Sequence, residues 1–276
     1  MPRFDILFFD LDGTLLGPDH TTVSPRNQEA LRAASAAGVK LSFATGRCLK
    51  IISPEAMALG LDYAVTSNGA AVYDLKQDKQ LYHFPFPVEQ AAAACRIIGS
   101  HIDFYELFVN GEILLGREEH DKTATRHLPP WHRRYFERHL MPVVESIDAF
   151  IQAGAPGLEK LNLVECDPAD IACIRDELEA LNLFELTTSL GRGALEAVPK
   201  GCTKGSAIRW LCNHLGIDIA RSAAFGDGGN DREMLLTAGC GVAMGNAPEE
   251  LKKAAACVTT PYDEDGIARF IEQYVL

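Results

Sequence analysis

The sequence FDILFFDLDGT, residues 4–14, decides the fold and points to the chemistry. Its first six residues are apolar except for Asp5, and such a short run is typical of a strand buried on both faces of a parallel sheet. Asp10 and Asp12 follow directly, at the end of the strand where open α/β sheets bind ligands. Side chains two residues apart on an extended segment point the same way, so one carboxylate can attack while the other transfers a proton. Gly13 lets the chain turn sharply beyond the pair.

Strands and helices alternate on both sides of a central region, which indicates a parallel sheet wound with helices. Helix starts are marked by Ser24-Pro25, by Thr203, and by Asn246 with Glu249 three residues later. Short apolar runs predict further strands at residues 41–44, 63–66, 222–225 and 242–244. We therefore predict an α/β fold with a doubly wound, Rossmann-like parallel sheet as its core.

Between residues 84 and 191 the pattern changes to paired extended segments with longer connections. Residues 107–109 and 113–115 flank Asn110-Gly111, a dipeptide typical of a tight hairpin turn. This region holds nine Lys and Arg against eighteen Asp and Glu, a net charge of −9, and the rest of the chain carries 17 − 20 = −3. We predict a core made of residues 1–83 and 192–276 and an inserted α+β domain of residues 84–191.

Polar residues at three further places are expected to meet the first carboxylates at one edge of the sheet. Thr45-Gly46-Arg47 ends the second strand, with a hydroxyl and a backbone amide that can donate to a phosphate oxygen. Lys204 lies in the first turn of a helix, where a cation opposes the helix dipole and thereby indicates a bound anion. The glycine-rich loop 226–231 adds two carboxylates and an amide. Together with Asp10, these hard oxygen ligands predict a Mg²⁺ site.

In their order along the chain, these four motifs resemble those of the haloacid dehalogenase superfamily of phosphohydrolases. Ser67-Asn68-Gly69-Ala70 and Asp263-Glu264-Asp265-Gly266-Ile267 extend the resemblance to its Cof-like branch, which carries a large type C2 (IIB) cap after the third core strand. The resemblance spans the whole core. It implies that residues 84–191 form a cap that closes over the active-site edge and selects the substrate.

The resemblance also implies a role for each matching residue. Asp10 would be the nucleophile that becomes an aspartyl phosphate, and Asp12 the general acid and base. The implied Mg²⁺ ligands are Asp10, Asp227 and the Asp12 carbonyl, with Asn230 and Asp231 supporting them. The implied phosphate ligands are Leu11, Thr45, Gly46 and Lys204, and the implied substrate-facing residues are Arg47 and Asn68.

Composition restricts the partners and the location. The chain carries 26 Lys and Arg against 38 Asp and Glu, and this net charge of −12 repels both nucleic acid and an anionic membrane surface. No apolar run approaches the roughly 20 residues of a membrane span, and no signal-peptide stretch is present. Eight scattered cysteines without a Cys-x-x-Cys pair argue against a disulfide framework or a zinc site. We expect a cytoplasmic protein with reduced thiols, and the sequence leaves the oligomeric state open.

These observations predict a Mg²⁺-dependent phosphatase of small phosphorylated metabolites, with sugar phosphates as the first choice and pyridoxal phosphate or flavin mononucleotide next. A phosphosugar mutase is an alternative, because it shares the Asp-x-Asp start and the basic segment 117–139 offers a place for a second phosphate. A phospho-accepting signalling module also uses Asp, Thr and Lys around Mg²⁺. Its chain would be about half as long, however, and it has no need for an acid-base carboxylate two residues after the phosphorylated one.

Overall fold

The computed structural model describes residues 3–126, 133, 136–137, 141–188 and 193–276. Part of the basic segment 117–139, including Arg134 and Arg138, lies outside these residues. The chain divides into two compact units. We call them the core unit, which comprises Met1–Arg47, Ile52–His83 and Thr203–Leu276, and the insert unit, which comprises Cys48–Ile51 and Phe84–Cys202.

The first part of the core unit begins with a strand whose four residues are all buried, as expected for the centre of a sheet covered on both faces. Its first helix starts where Ser24 Oγ accepts a hydrogen bond from Asn27 N (3.1 Å), with Pro25 as the first helical residue. The elements are β1 (Ile6–Phe9), α1 (Pro25–Ala36), β2 (Lys40–Ala44), α2 (Pro54–Met57), β3 (Tyr63–Thr66), β4 (Ala71–Asp74) and β5 (Lys79–His83).

The insert unit is a sheet with two long helices packed on one face. Its described elements are α3 (Val88–His101), β6 (Glu106–Val109), β7 (Glu112–Gly116), α4 (Arg117–Lys122), β8 (Val143–Val144), α5 (Ile147–Gln152), β9 (Leu158–Leu163), α6 (Pro168–Leu181), β10 (Phe184–Thr187) and β11 (Leu195–Pro199). The strand order is β10-β11-β9-β6-β7-β8, and every pair is antiparallel except β7 with β8. The hairpin predicted around Asn110-Gly111 joins β6 to β7.

The chain then returns to the core unit and completes its sheet. The returning elements are α7 (Lys204–Leu215), β12 (Ser222–Gly226), α8 (Arg232–Thr237), β13 (Cys240–Ala243), α9 (Glu249–Ala254), β14 (Cys257–Val258) and α10 (Gly266–Tyr274). The strand order is β14-β13-β12-β1-β2-β3-β4-β5, parallel from β14 to β3, with β4 and β5 added as an antiparallel hairpin. Ile6 and Phe8 contribute to the apolar cluster with α7 and α8, and Phe225 meets Phe270 of α10 edge-on at 5.0 Å. The α/β prediction is confirmed, with a sheet that is mixed rather than wholly parallel.

The return to the core unit falls at Thr203, not at residue 192 as the sequence pattern predicts. The reason is β11, which pairs antiparallel with β9 and β10 in the insert sheet. All five of its residues are buried, and a short buried run of this kind fits either sheet when only the sequence is read.

The segment between β2 and β3 is less helical than its sequence predicts. The sequence pattern predicts a helix that runs through Leu59 and ends at Gly60, but the structure has only the four residues of α2, preceded by a single 3₁₀ turn at Leu49–Ile51. Over the described ranges, none of the helices is both long enough and apolar enough to cross a bilayer.

The turn between β3 and β4 lies against the residue that precedes α7. Gly69 in this turn has a φ of +106°, and a Cβ atom there would collide with the carbonyl oxygen of Thr203. Thr203 in turn begins α7 through a capping box with Ser206. The absence of a side chain at Gly69 therefore lets the start of α7 approach the end of β3.

We predict that Gly69→Ala lowers the free energy of unfolding more than Gly38→Ala does, measured by urea denaturation. Gly38 has a φ of +90°, but a Cβ atom added there would have no neighbouring atom within 4 Å, so its variant reports backbone strain alone, about 1–2 kcal/mol. Gly69→Ala adds the clash with Thr203, about 1–3 kcal/mol more. Equal urea midpoints for the two variants would contradict this prediction, because they would show that the start of α7 shifts and relieves the clash at no cost in stability.

Candidate active site

Asp10 lies immediately after β1, in the middle of the core sheet. Its backbone N–H donates to Phe225 O of β12 (3.0 Å), and its carboxylate is buried, with 6% of the residue exposed. Oδ1 accepts a hydrogen bond from Lys204 Nζ at 2.7 Å. The carboxylate is thus held at the carboxyl end of the sheet, where the sequence pattern predicts it.

Lys204 is the first residue of α7 and is fully buried. Its ammonium group donates to Asp10 Oδ1 and to Asp231 Oδ1, each at 2.7 Å. Burial acts to lower the pKa of Lys204, but the two carboxylates hold it above its usual range, so the side chain stays charged. The position of Lys204 near a helix N-terminus predicts a bound anion. In this structure its anionic partners are two carboxylates of the protein itself.

The loop after β12 supplies two more carboxylates. Asp231 Oδ2 accepts hydrogen bonds from the backbone N–H groups of Asp227 (3.0 Å) and Gly228 (2.9 Å), which closes the loop on itself. Asp227 Oδ1 accepts from Thr14 Oγ1 (2.8 Å). Among the residues the structure describes, Asp10, Asp227 and Asp231 each place one carboxylate oxygen within 4.8 Å of the other two.

Three carboxylates this close repel one another. Burial, followed by the charge of Asp231, raises the pKa of Asp10 well above its usual range and that of Asp227 to about 6. Lys204 opposes both shifts but does not overcome them. Hard oxygen donors around an excess of negative charge are the environment that Mg²⁺ prefers, so this donor set fits a divalent cation.

Asp12 is directed to a different set of partners. Arg47 holds its carboxylate with two hydrogen bonds, from Nε to Oδ2 (2.8 Å) and from a terminal nitrogen to Oδ1 (2.6 Å), and His20 Nδ1 lies 2.8 Å from Oδ1. Burial acts to raise the pKa of Asp12, but the Arg47 charge and the hydrogen bonds from His20 and Arg47 hold it well below its usual range. Asp12 is therefore ionised, whereas the surroundings of Asp10 disfavour its charge.

The turn Leu11–Leu15 carries the chain away from these two carboxylates. Gly13 has a φ of +75°, and a Cβ atom at this position would collide with the Asp227 carboxylate. The glycine is thus required both by the backbone conformation and by the approach of the loop after β12. Leu11, which lies between the two carboxylates, is fully buried.

The remaining predicted site residues form hydrogen bonds that join the turns at the same edge. Thr45 Oγ1 accepts from Arg47 N (3.1 Å), and Gly46 lies between these two residues in the turn after β2. Asn68, with a φ of +55°, accepts from Asn230 Nδ2 through its Oδ1 (3.1 Å) and is nearly buried. In the structure, Arg47 and Asn68, which the resemblance assigns to the substrate, therefore bind Asp12 and Asn230.

Asn246 is a residue of this site whose role differs from the one predicted. Its sequence context predicts a helix cap, but α9 begins at Glu249 after Pro248. Its Nδ2 instead donates to Gly13 O (2.9 Å) and to Asp227 Oδ2 (3.1 Å). The signal for this role is its position shortly after β13, at the same sheet edge as the other motifs.

His20 and Thr14 are two further residues without a predicted role. Thr14 belongs to the first motif, and its hydroxyl orients Asp227. His20 lies eight residues after Asp12 in a polar loop, with a φ of +56°. No spacing rule brings His20 back to Asp12, so only the folded loop reveals the contact.

Comparison with known proteins identifies the family. Residues 7–271 match the family model of the haloacid dehalogenase-like hydrolases. HMP-PP phosphatase of Serratia proteamaculans is 32% identical over 252 residues, which cover 88% of this chain and 85% of that protein. Phosphatase YwpJ of Bacillus subtilis is 30% identical over 292 residues, which cover 97% of this chain and 98% of that protein.

Solved structures show the same similarity along nearly the whole chain. A haloacid dehalogenase-like hydrolase from B. subtilis superposes with a TM-score of 0.84 at 26% identity, covering 98% of this chain and 100% of that one. The HAD subclass IIB sugar phosphatase BT4131 superposes with a TM-score of 0.78 at 28% identity, covering 98% of each chain. The chain therefore belongs to the haloacid dehalogenase-like hydrolases, as a Cof-like phosphohydrolase.

Proposed function

We propose that this phosphohydrolase is a Mg²⁺-dependent phosphatase that cleaves small phosphorylated metabolites through an aspartyl phosphate formed on Asp10. The observation that carries the proposal is the pairing of the buried Asp10 carboxylate with Lys204, beside the carboxylates of Asp227 and Asp231. A phosphate monoester dianion repels an incoming carboxylate. Attack requires positive charge concentrated around the phosphoryl group, and this site has the Lys204 ammonium group beside Asp10 and oxygen donors for a metal cation.

In the first step, Asp10 attacks phosphorus and the alkoxide leaving group departs. The ammonium group of Lys204, already 2.7 Å from Asp10, stabilises the phosphoryl oxygens as negative charge develops, and Leu11, Thr45 and Gly46 complete the proposed phosphate ligands. Bound Mg²⁺ would neutralise phosphoryl charge, held by Asp10, Asp227 and the Asp12 carbonyl. Asp231 and Asn230 support this arrangement through the hydrogen bonds that close their loop and fix it to Asn68.

Asp12 is proposed to move the protons. The ionised carboxylate can accept a proton from the water that hydrolyses the aspartyl phosphate. To protonate a leaving group beforehand, it must take up a proton, which weakens its hold on Arg47. The contacts with Arg47 and His20 thus determine that Asp12 is ionised at the start of the catalytic cycle.

The substrate class is drawn from the relatives. One is named as an HMP-PP phosphatase and another as a sugar phosphatase, and both names describe small phosphorylated compounds. We propose sugar phosphates as the first class to test, then pyridoxal phosphate and flavin mononucleotide, with the insert unit as the cap that selects among them. The proposal is tested by measuring phosphate release across a panel of such metabolites, with and without Mg²⁺. Isomerisation without phosphate release would identify a mutase, and a stable phosphoprotein without turnover would identify a signalling module.

Asp10→Asn is expected to lower turnover by more than about a thousandfold, because an amide oxygen is a far weaker nucleophile than a carboxylate. Phosphate release and phosphoprotein formation are measured on the purified variant, and circular dichroism checks its fold. Asp176→Asn, an exposed change on α6, is the matched control and should retain wild-type turnover. Near-normal phosphate release by folded Asp10→Asn would exclude Asp10 as the nucleophile.

Asp12→Asn is expected to slow the reaction more for a sugar phosphate than for nitrophenyl phosphate. The sugar alkoxide needs a proton on departure, whereas nitrophenolate leaves without one. Turnover numbers for both substrates are compared with wild type. The same fractional loss on both would argue against proton donation by Asp12, while leaving its role in hydrolysing the aspartyl phosphate open to single-turnover measurement.

Asp227→Asn is expected to raise the Mg²⁺ concentration for half-maximal activity at least tenfold, since an amide oxygen is a weaker ligand than a carboxylate. The conservative amide keeps the volume that Thr14 and Asn246 contact. EDTA should silence the wild-type enzyme reversibly, and Ca²⁺ should fail to replace Mg²⁺ because it prefers more ligands at longer distances. Asp263→Asn, at an exposed position, is the control. Full activity in EDTA would rule out the metal.

A further inference from the structure

Two cysteines lie next to each other on the edge strand of the core sheet, β14, and on its neighbour, β13. Cys240 starts β13 and Cys257 starts β14, and their Sγ atoms are 3.9 Å apart. The register pairs Val242 with Cys257, so Cys240 lies two positions earlier, on the same face of the sheet. The two thiols are 17 residues apart in the sequence, and strand pairing brings them together.

The surroundings of this pair differ from those of the buried thiols. Both residues are partly exposed, whereas burial raises the pKa of Cys95, Cys202 and Cys212 to about 12 in each case. The hydrogen bond between the two thiols lowers the pKa of Cys240; partial burial opposes this shift and the charge of Arg3 adds to it. A thiolate is the reactive form of cysteine, so the pair combines access to solvent with a thiol that ionises more readily than an ordinary cysteine.

We propose that Cys240 and Cys257 are a reactive dithiol that hydrogen peroxide converts into an intramolecular disulfide. The Cys240 thiolate attacks one peroxide oxygen, so that an S–O bond forms, the O–O bond breaks and hydroxide leaves to be protonated as water. Cys257 then attacks the sulfur of the resulting sulfenic acid, forming the S–S bond and releasing a second water. The two thiols lose two electrons and two protons in total, and the peroxide is reduced to two waters.

The second step requires the sulfurs to close from 3.9 Å to about 2.05 Å. β14 is the element able to make this movement, because it has only two residues and pairs with β13 on one side alone in the described sheet. Val258, its other residue, is 50% exposed, so little packing resists a shift of the strand. This chemistry takes place at the sheet edge and does not depend on the proposed function.

Proteolysis offers a direct test of the disulfide. Trypsin cuts after Lys252 and Lys253, between the two cysteines, so a disulfide joins the peptides 233–252 and 254–269, which are otherwise separate. The reduced full-length protein is treated with hydrogen peroxide at low protein concentration, alkylated, digested without reductant and analysed by mass spectrometry. We expect the linked peptide pair in monomeric protein and its disappearance on treatment with dithiothreitol.

Three variants distinguish this pair from general thiol oxidation. Cys257→Ser should leave a sulfenic acid on Cys240 that dimedone traps, and Cys240→Ser should slow peroxide consumption at Cys257 at least tenfold. Cys173→Ser removes an exposed thiol on α6 and should leave disulfide formation unchanged. The proposal is overturned if the linked pair is absent while Cys173 is oxidised, or if the link appears only in disulfide-bonded dimers.

Discussion

The core of this protein depends on the buried ion pairs that the ammonium group of Lys204 forms with two carboxylates. Removing one partner from a buried ion pair costs about 3–5 kcal/mol, because an uncompensated charge remains out of water. Lys204 has two such partners, Asp10 after β1 and Asp231 after β12, and it begins α7 itself. One side chain thus binds together the first strand, the returning helix and the loop after β12. Because Gly69 has no side chain, the start of that helix can lie close to the end of β3, at the sheet edge where the ammonium group reaches both carboxylates.

The second constraint is that different surroundings shift the pKa values of Asp10 and Asp12 in opposite directions. Burial and the charge of Asp231 raise the pKa of Asp10, whereas Arg47 and His20 hold the pKa of Asp12 low. Two residues of one type, two positions apart, thereby acquire different chemistry from different neighbours. A cation bound near Asp10 would relieve the repulsion there, and the oxygen donors around it suit one. Gly13 contributes to this arrangement, because its lack of a side chain allows the Asp227 carboxylate to approach the turn that follows Asp10 and Asp12.

The insert unit shows how packing overrides local sequence pattern. β9 is buried along its whole length, although it contains Glu159, Lys160 and Asn162. Lys160 is accommodated by the Glu196 carboxylate of β11 at 2.5 Å and by the ring of Phe108, whose centroid is 4.2 Å from Nζ. Charged residues in a strand normally predict that one face of the strand is exposed to solvent. The burial of β9 is therefore explained by the residues that pack around it and not by its own sequence. Pairing with β9 also keeps β11 in the insert sheet, so the chain returns to the core unit only at Thr203.

The sequence by itself determined the α/β class, the central strand and the edge of the sheet at which the polar motifs collect. These features depend on local periodicity and on the rule that ligands bind at the carboxyl ends of parallel strands, both of which a linear chain displays. The tertiary structure alone decided that Asn246 reaches Gly13 and Asp227, that His20 folds back on Asp12, and that Cys240 lies beside Cys257. These contacts join residues on separate elements or on an irregular loop. Their distances are set by strand pairing and loop closure, which no short-range pattern in the sequence encodes.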